Sequence, residues 1–516
     1  MTKERTGAQS LVQTLVASDV NVCFANPGTS EMHFVAALDD NPEMRCVLGL
    51  FEGIVTGAAD GYGRMAGKPA VTLTHLGPGL GNGLANLHNA KKACTPVVNV
   101  VGDHATYHRK FDAPLTSDVE GLARPMSGWV KVSHSADDVA GDGAEAVQAA
   151  MTSPGQVATL ILPADTAWNP TTAEAGPLPV PEPDPVAGDA VDRAAEALLK
   201  GRRAVILMNG LLSEERLAMA DQVAQATGAR VITDTFVART QRGAGRAEAL
   251  RLPYFSEQAE EVLAGTELLV LVGTKAPVTF FAYPGKPSEL TPEGCEVVSL
   301  VARHGDIDGA LEALVSVVGA TQPPRLVELA PPGMPSGQLN PDNLGAAFAH
   351  LFPENAVVVD EGATGGFGVA MHTRAVAPHD WLQLTGGSIG YGLPCATGAA
   401  VACPDRPVLC VQADGGGMYT VQALWTQARE QLNVTNIILN NGKYAILQVE
   451  FARVGAHNPG PKAMSMLDLT KPAINWVSLA EGMGMPGTRV TTVEEFARAL
   501  QESLATPGPS LIEAMI

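Results

Sequence analysis

The stretch VLCVQADGGGMYTVQALWTQAREQLNVTNIILNNG, residues 408–442, decides the fold. It opens on a short apolar run, passes through three glycines into a helix-length segment, and returns to a second apolar run at 434–439. Two apolar strands joined by a helix imply a parallel pair, because parallel strands need a long crossover. Asp414 follows the first strand directly and Asn441 follows the second, 27 positions later. Carboxyl ends of adjacent parallel strands lie side by side, which is where ligands of such sheets sit.

An Asp and an Asn so placed offer two oxygens to a hard cation, and the backbone carbonyl of Lys443 is a third donor. Mg2+ takes six oxygens, so two from a diphosphate and one water would complete its shell. Gly415 to Gly417 carry no side chains, which lets backbone N–H groups at the next helix start approach phosphate oxygens. The bland alternative is a strand–turn–helix with Asp414 as N-cap. It leaves Asn440-Asn441 at the second strand end without a reason.

Outward from this stretch the pattern repeats. AVVVDEG (356–362), RAVILMNG (203–210), ARVITDT (229–235), ELLVLVG (267–273), PAVTLTHLG (69–77) and PVVNVVGDH (96–104) read as buried strands separated by amphipathic segments. Such alternation implies an α/β protein of parallel sheets flanked by helices. Two proline-dense stretches, 169–186 and 321–341, read as extended linkers. They leave three segments of domain size, 1–168, 187–320 and 341–516. A length of 516 residues exceeds what one core usually serves. The net charge of −20 argues against nucleic acid and anionic membrane as partners. Seven scattered cysteines without CxxC spacing read as buried thiols in a reducing compartment. The N-terminus shows no apolar leader, and no run approaches the roughly 20 residues of a membrane span. A cytoplasmic protein is therefore expected.

The first segment holds LGLFEGIVTGAADGYGRMAGKPAVTLTHLGPGLGNG, 48–83, with Glu52 between a short strand and a helix. Taken alone, Glu52 reads as a helix-start acid. Together with the 408–442 stretch it resembles the thiamine-diphosphate-dependent 2-oxo acid enzyme superfamily. The metal motif there runs Gly-Asp-Gly, then about 26 residues, then Asn-Asn; here Ala413 replaces the first glycine. The resemblance implies a pyrimidine-binding, a middle and a diphosphate-binding domain, the middle one Rossmann-like and without FAD. It implies thiamine diphosphate and Mg2+ as cofactors, with Asp414, Asn441 and Lys443 at the metal and Gly415 and Gly416 at the diphosphate. Glu52 would act on the pyrimidine N1′ to favour the imino tautomer, whose 4′ nitrogen takes the proton from thiazolium C2. In LTGGSIGYGLP (384–394), Ile389 falls where the family props the two rings, and Gly387 where a carbonyl meets the 4′-amino group. The family joins the two halves of the site from different subunits, so a homodimer is the smallest active unit and a homotetramer is expected.

Within the superfamily the chain resembles benzoylformate decarboxylase. NPGTSEMHF (26–34) matches its NPGS-type loop, with Pro27 toward the cofactor and Thr29 at the serine position. His75 falls on the loop facing the thiazolium, where that enzyme carries a histidine able to move protons near neutral pH. In KAPVTFFAYPG (275–285), Ala282 stands where the decarboxylase has a second histidine; His104 and His108 are candidates to replace it. Leu447 and Glu450 occupy substrate-contact positions, and Glu450 either favours a polar or cationic substrate or points to solvent. Acetolactate synthase is the rival: the Gly-Pro-Gly loop is similar, but DAPLTSD (112–118) lacks its Phe-Gln pair. A non-catalytic regulator that keeps the cofactor site is a reading of another class. A Rossmann dehydrogenase fits worse still, since no GxGxxG with a ribose-binding acid opens a first βα turn. The substrate implied is a small 2-oxo acid.

Overall fold

The computed structural model describes residues 5–516. Residues 1–4, where the N-terminal expectation and the first segment begin, lie outside the described residues. The described residues form three large sheets and one two-stranded sheet, Arg5–Thr6 with Pro170–Thr171. The first is six-stranded and parallel, in the order Arg45–Leu48, Val22–Ala25, Ala70–Thr74, Val97–Asp103, Val157–Pro163, Trp129–Val132. The second is parallel and five-stranded, in the order Leu250–Arg251, Arg230–Thr233, Ala204–Met208, Leu268–Val272, Glu296–Val301. Its first strand in sequence sits at the centre and growth proceeds to both sides, the Rossmann arrangement.

The third sheet has eight strands and departs from the segment boundaries. Val357–Glu361, Val408–Ala413, Val434–Asn440, Ser510–Met515 and Gly487–Val490 run parallel on one side of His379–Gln383. On its other side Arg239–Arg242 pairs antiparallel and Leu211–Leu212 follows. Both strands come from the middle segment, 187–320. Both proline-dense stretches are mostly irregular, the first after the short strand Pro170–Thr171, and the second is pinned by a bridge between Ala247 and Leu326. The thiol expectation holds in part: Cys23, Cys395 and Cys410 are buried, Cys46 is exposed, and the others are intermediate. Among the described residues no helix is long and apolar enough to cross a membrane.

The helix Glu52–Ala66 lies along the helix Gly392–Ala402, and together they form the centre of the largest core. Glycine makes this contact possible. A side chain at Gly61 would run into the carbonyl of Cys395, and one at Gly398 into the carbonyl of Ala58. At the far end Arg64, wholly buried, forms a two-pronged pair with Asp60 at 2.8 and 2.6 Å. Its remaining donors reach the Gln383 carbonyl at 2.7 Å and the Tyr391 hydroxyl at 3.0 Å. A buried charge is tolerable only when paired and hydrogen-bonded, and Arg64 meets both conditions.

Gly398→Val is expected to destabilise the protein by about 1–3 kcal/mol or more, since added bulk meets backbone that has no room to yield. Urea unfolding monitored by circular dichroism checks this. An unchanged midpoint would show that the two helices do not touch as described.

Candidate active site

The sheets place the candidate residues at strand carboxyl ends. In the first domain, Asn26–Gly28 follow the strand Val22–Ala25, Glu52 opens the helix after Arg45–Leu48, and His75 follows Ala70–Thr74. These three strands are neighbours, so residues far apart in sequence converge. Glu52 is buried, and its Oε2 accepts from Asn82 Nδ2 at 3.0 Å. A methyl on Gly79 would lie 2.8 Å from Glu52 Oε1 and 3.3 Å from His75 Cβ. The two candidate catalytic side chains therefore flank one bare glycine.

His75 is the single residue that connects the strand Ala70–Thr74 to the next helix. It is the N-cap of a helix, Leu76–Ala93, whose first turn contains the Gly-Pro-Gly. Proline is tolerated there because first-turn N–H groups have no helical partner. A residue the sequence reading passed over holds His75 in place: Glu31 Oε2 lies 2.7 Å from its Nδ1. The same oxygen accepts the Gly28 N–H at 2.8 Å. Burial pushes the Glu31 carboxyl up, and the facing His75 and the Gly28 N–H pull it back. A carboxylate on Nδ1 fixes the proton there and leaves Nε2 free. Pro27 is half-buried beside Gly28, while Thr29 is exposed at the start of a short 3-10 turn. His104 and His108 lie ring to ring at 5.3 Å beyond the next strand, and His104 Nε2 is buried without a partner among the described residues.

The second half of the site is built by the third sheet. Asp414 and Asn441 follow the paired strands Val408–Ala413 and Val434–Asn440. Asp414 is buried, and burial raises its carboxyl against the pull of the Gly415 and Gly442 N–H groups. Its Oδ2 accepts from Gly442 N at 2.9 Å; Asn441 Oδ1 accepts from Lys443 N at 3.1 Å. Among the described residues no group of three His, Cys, Asp or Glu surrounds a cation site. The donor set fits a hard cation that arrives with oxygens of its own, as a metal diphosphate does. Gly415 is covered by the Tyr444 ring, and a methyl on Gly416 would come 2.8 Å from Glu361 Oε1. The cradle admits backbone N–H groups and no side chain.

Glu361, also missed in the sequence, carries the neighbouring turn. Its two oxygens accept from Gly390 N at 2.7 Å and Gly392 N at 2.5 Å, on either side of Tyr391. Burial raises its carboxyl to about 7, opposed by those N–H groups. The turn holds Gly387 at φ 72°, a conformation glycine adopts readily. Ile389 is 37% exposed, so it projects from the turn and does not belong to the core. Leu447 is exposed on the helix Ala445–Arg453, whereas Glu450, on the same helix, is only 8% exposed. Glu450 does not point to solvent. It lies 3.7 Å from Arg453 Nε, and burial, with Glu450 beside them, raises the Tyr254 and Tyr283 hydroxyls. Ala282 is exposed, and the residue of its segment that reaches the cofactor turn is Phe280, against Gly387.

One half of the site carries groups able to move protons, and the other carries oxygens and bare glycines that fit a diphosphate with its cation. Two family profiles match in agreement: the thiamine pyrophosphate enzyme N-terminal TPP binding domain over residues 5–123, and the C-terminal TPP binding domain over residues 363–514. A Mycobacterium tuberculosis protein provisionally named acetolactate synthase large subunit IlvX is 51% identical, with 99% of both chains covered. The benzoylformate decarboxylase of Pseudomonas aeruginosa is 30% identical over 95% of both. A solved structure, the thiamine diphosphate-dependent 4-hydroxybenzoylformate decarboxylase of Rhodococcus jostii RHA1, superposes with a TM-score of 0.86 at 26% identity over 99% of both chains. The chain belongs to the thiamine pyrophosphate enzyme family.

Asp414→Ala is expected to abolish metal-dependent binding of thiamine diphosphate in a folded protein; calorimetry with unchanged affinity would remove Asp414 from the metal. Glu52→Gln is expected to keep the bound cofactor while slowing exchange of its C2 proton by at least about 100-fold, the scale of one acid–base group. NMR exchange at the wild-type rate would contradict the role given to Glu52.

Proposed function

We propose that this chain is a thiamine-diphosphate- and Mg2+-dependent enzyme that decarboxylates small 2-oxo acids in the manner of benzoylformate decarboxylase and also joins the acyl unit to a second carbonyl. The observation that carries this reading is the meeting of Glu52 and His75 across Gly79, with Glu31 holding the far side of the imidazole. When bound, thiamine diphosphate supplies the nucleophilic carbon and the electron sink for loss of CO2. Asp414, Asn441 and the Lys443 carbonyl would hold Mg2+, and the Gly415 and Gly416 N–H groups the diphosphate. The Gly387 carbonyl, Ile389 and Pro27 would orient the rings.

Glu52, screened from water and bonded to Asn82, holds the proton that activation requires at its carboxyl oxygen. His75, with Nδ1 tied to Glu31, exchanges protons with the substrate through Nε2. Thr29, Leu447, Glu450 and Ala282 are the proposed substrate contacts. Glu450 sits among two tyrosines and Arg453, an environment that favours a polar substrate tail over a purely apolar one.

Carboligation of the acetolactate synthase kind is the second reading. Ala282 brings no second imidazole to the site, and the 51% identical relative bears that name. A purely regulatory protein would have no use for Glu52, His75 and Asp414 kept together. Glu52 bonds only within its own domain, as does Asp414 within its own. This supports two half-sites that meet between chains of a homodimer, assembled further into a homotetramer in the cytoplasm.

Pyruvate, benzoylformate and branched 2-oxo acids mixed with the holoenzyme, with CO2, aldehyde and acyloin measured together, test the proposal. CO2 release with acyloin or acetohydroxy acid formation is expected; no turnover of any of them would overturn it.

A further inference from the structure

A cavity of about 460 Å³, lined by none of the residues assigned to the cofactor, lies between the middle domain and the third sheet. Its floor is the face of Arg239–Arg242 and His379–Gln383 that carries Arg242 and Trp381. Its walls come from Leu252 and Arg251 on the middle-domain side and from Phe367 and Met371 on the helix Ala363–His372. The size is that of a small-molecule site, and most of the lining is apolar.

The charges in this cavity do not balance. Arg251 makes no ion pair or hydrogen bond among the described residues, and its guanidinium stands 5.6 Å from the Phe236 ring centre. Arg242 lies over Trp381 at 4.1 Å and donates only to neutral groups: His379 Nε2 at 3.0 Å, the Ala370 carbonyl at 3.1 Å, and Thr373 Oγ1. His379 is neutral because burial and the neighbouring arginines press it down to about 3. Arg374, at the rim, is matched by Glu248. The one acid facing both inner arginines is Asp360, whose Oδ1 accepts from Gly362 N at 3.1 Å. Two guanidinium groups thus share one carboxylate. Burial lowers both arginines and raises Asp360.

We propose that this cavity is a second small-molecule site, taking an organic anion with an apolar, ring-sized body. Arg251 and Arg242 receive the anionic head, since guanidinium groups match planar oxyanions in geometry and charge. The body rests between Trp381, Leu252 and Phe367. The ligand supplies the counter-charge that the arginines lack and fills a space the protein leaves open.

The test is a fluorescence titration of the thiamine-diphosphate-loaded protein with 8-anilinonaphthalene-1-sulfonate, whose sulfonate and fused rings have this chemistry. Saturable binding is expected, displaced by 3-phenylpropionate. Arg251→Gln keeps the size and removes the charge, and is expected to weaken binding at least about tenfold. Ala370→Phe keeps every charge and fills the cavity, and is expected to abolish binding. No saturable binding to the wild type overturns the proposal, as does equal affinity in a folded Arg251→Gln or Ala370→Phe protein.

Discussion

Everything in the site hangs on two helices pressed backbone to backbone. Glu52–Ala66 begins with the acid proposed to handle the proton, and Gly392–Ala402 begins just after the turn that bears Gly387 and Ile389. Where a glycine of one helix meets the carbonyls of the other, at Gly61 and at Gly398, the axes can approach closely enough for one core to serve both domains. The buried Asp60–Arg64 pair then ties the first helix to Gln383, Thr385 and Tyr391 on either side of that turn. A shift of either helix would move an acid or a ring prop, and it would also break a buried ion pair, which costs about 3–5 kcal/mol when one partner is removed.

Four carboxyl groups, Glu31, Glu52, Glu361 and Asp414, are removed from water around the proposed cofactor position. Each keeps a hydrogen-bond donor: Gly28 N, Asn82 Nδ2, the Gly390 and Gly392 N–H groups, and Gly442 N. A dry acid with a fixed donor neither drifts nor needs water to reorganise, which is what proton transfer in a closed site requires. Glu361 shows the purely positional use of the same physics, since it bonds the backbone on either side of Tyr391.

Much of this was legible in residues alone. The placement of Asp414, Asn441 and Glu52 at strand carboxyl ends is one such feature, because apolar runs mark strands. What stayed hidden has identifiable causes. The Glu31–His75 contact joins residues 44 positions apart, and it exists only because their strands, Val22–Ala25 and Ala70–Thr74, are paired neighbours. The strand Arg239–Arg242, RTQR, has no apolar alternation, because its side chains face Asp380 and Trp381 across domains. The Gly-Pro-Gly reads as a loop by composition, yet a first helical turn asks for no N–H partner and admits it. Arg251 looks like any surface arginine until the cavity is seen.

The central claim is that a proton-handling half and a diphosphate half, each incomplete, make one site between two chains. Subunit mixing tests it directly. Glu52→Gln and Asp414→Ala proteins, each inactive alone, are dissociated, combined in equal amounts and reassembled with thiamine diphosphate and Mg2+. In a dimer with shared sites half of the molecules are mixed, and each of these regains one intact site, so about a quarter of wild-type activity returns. If both halves of each site came from one chain, every site would carry a lesion and no activity would return.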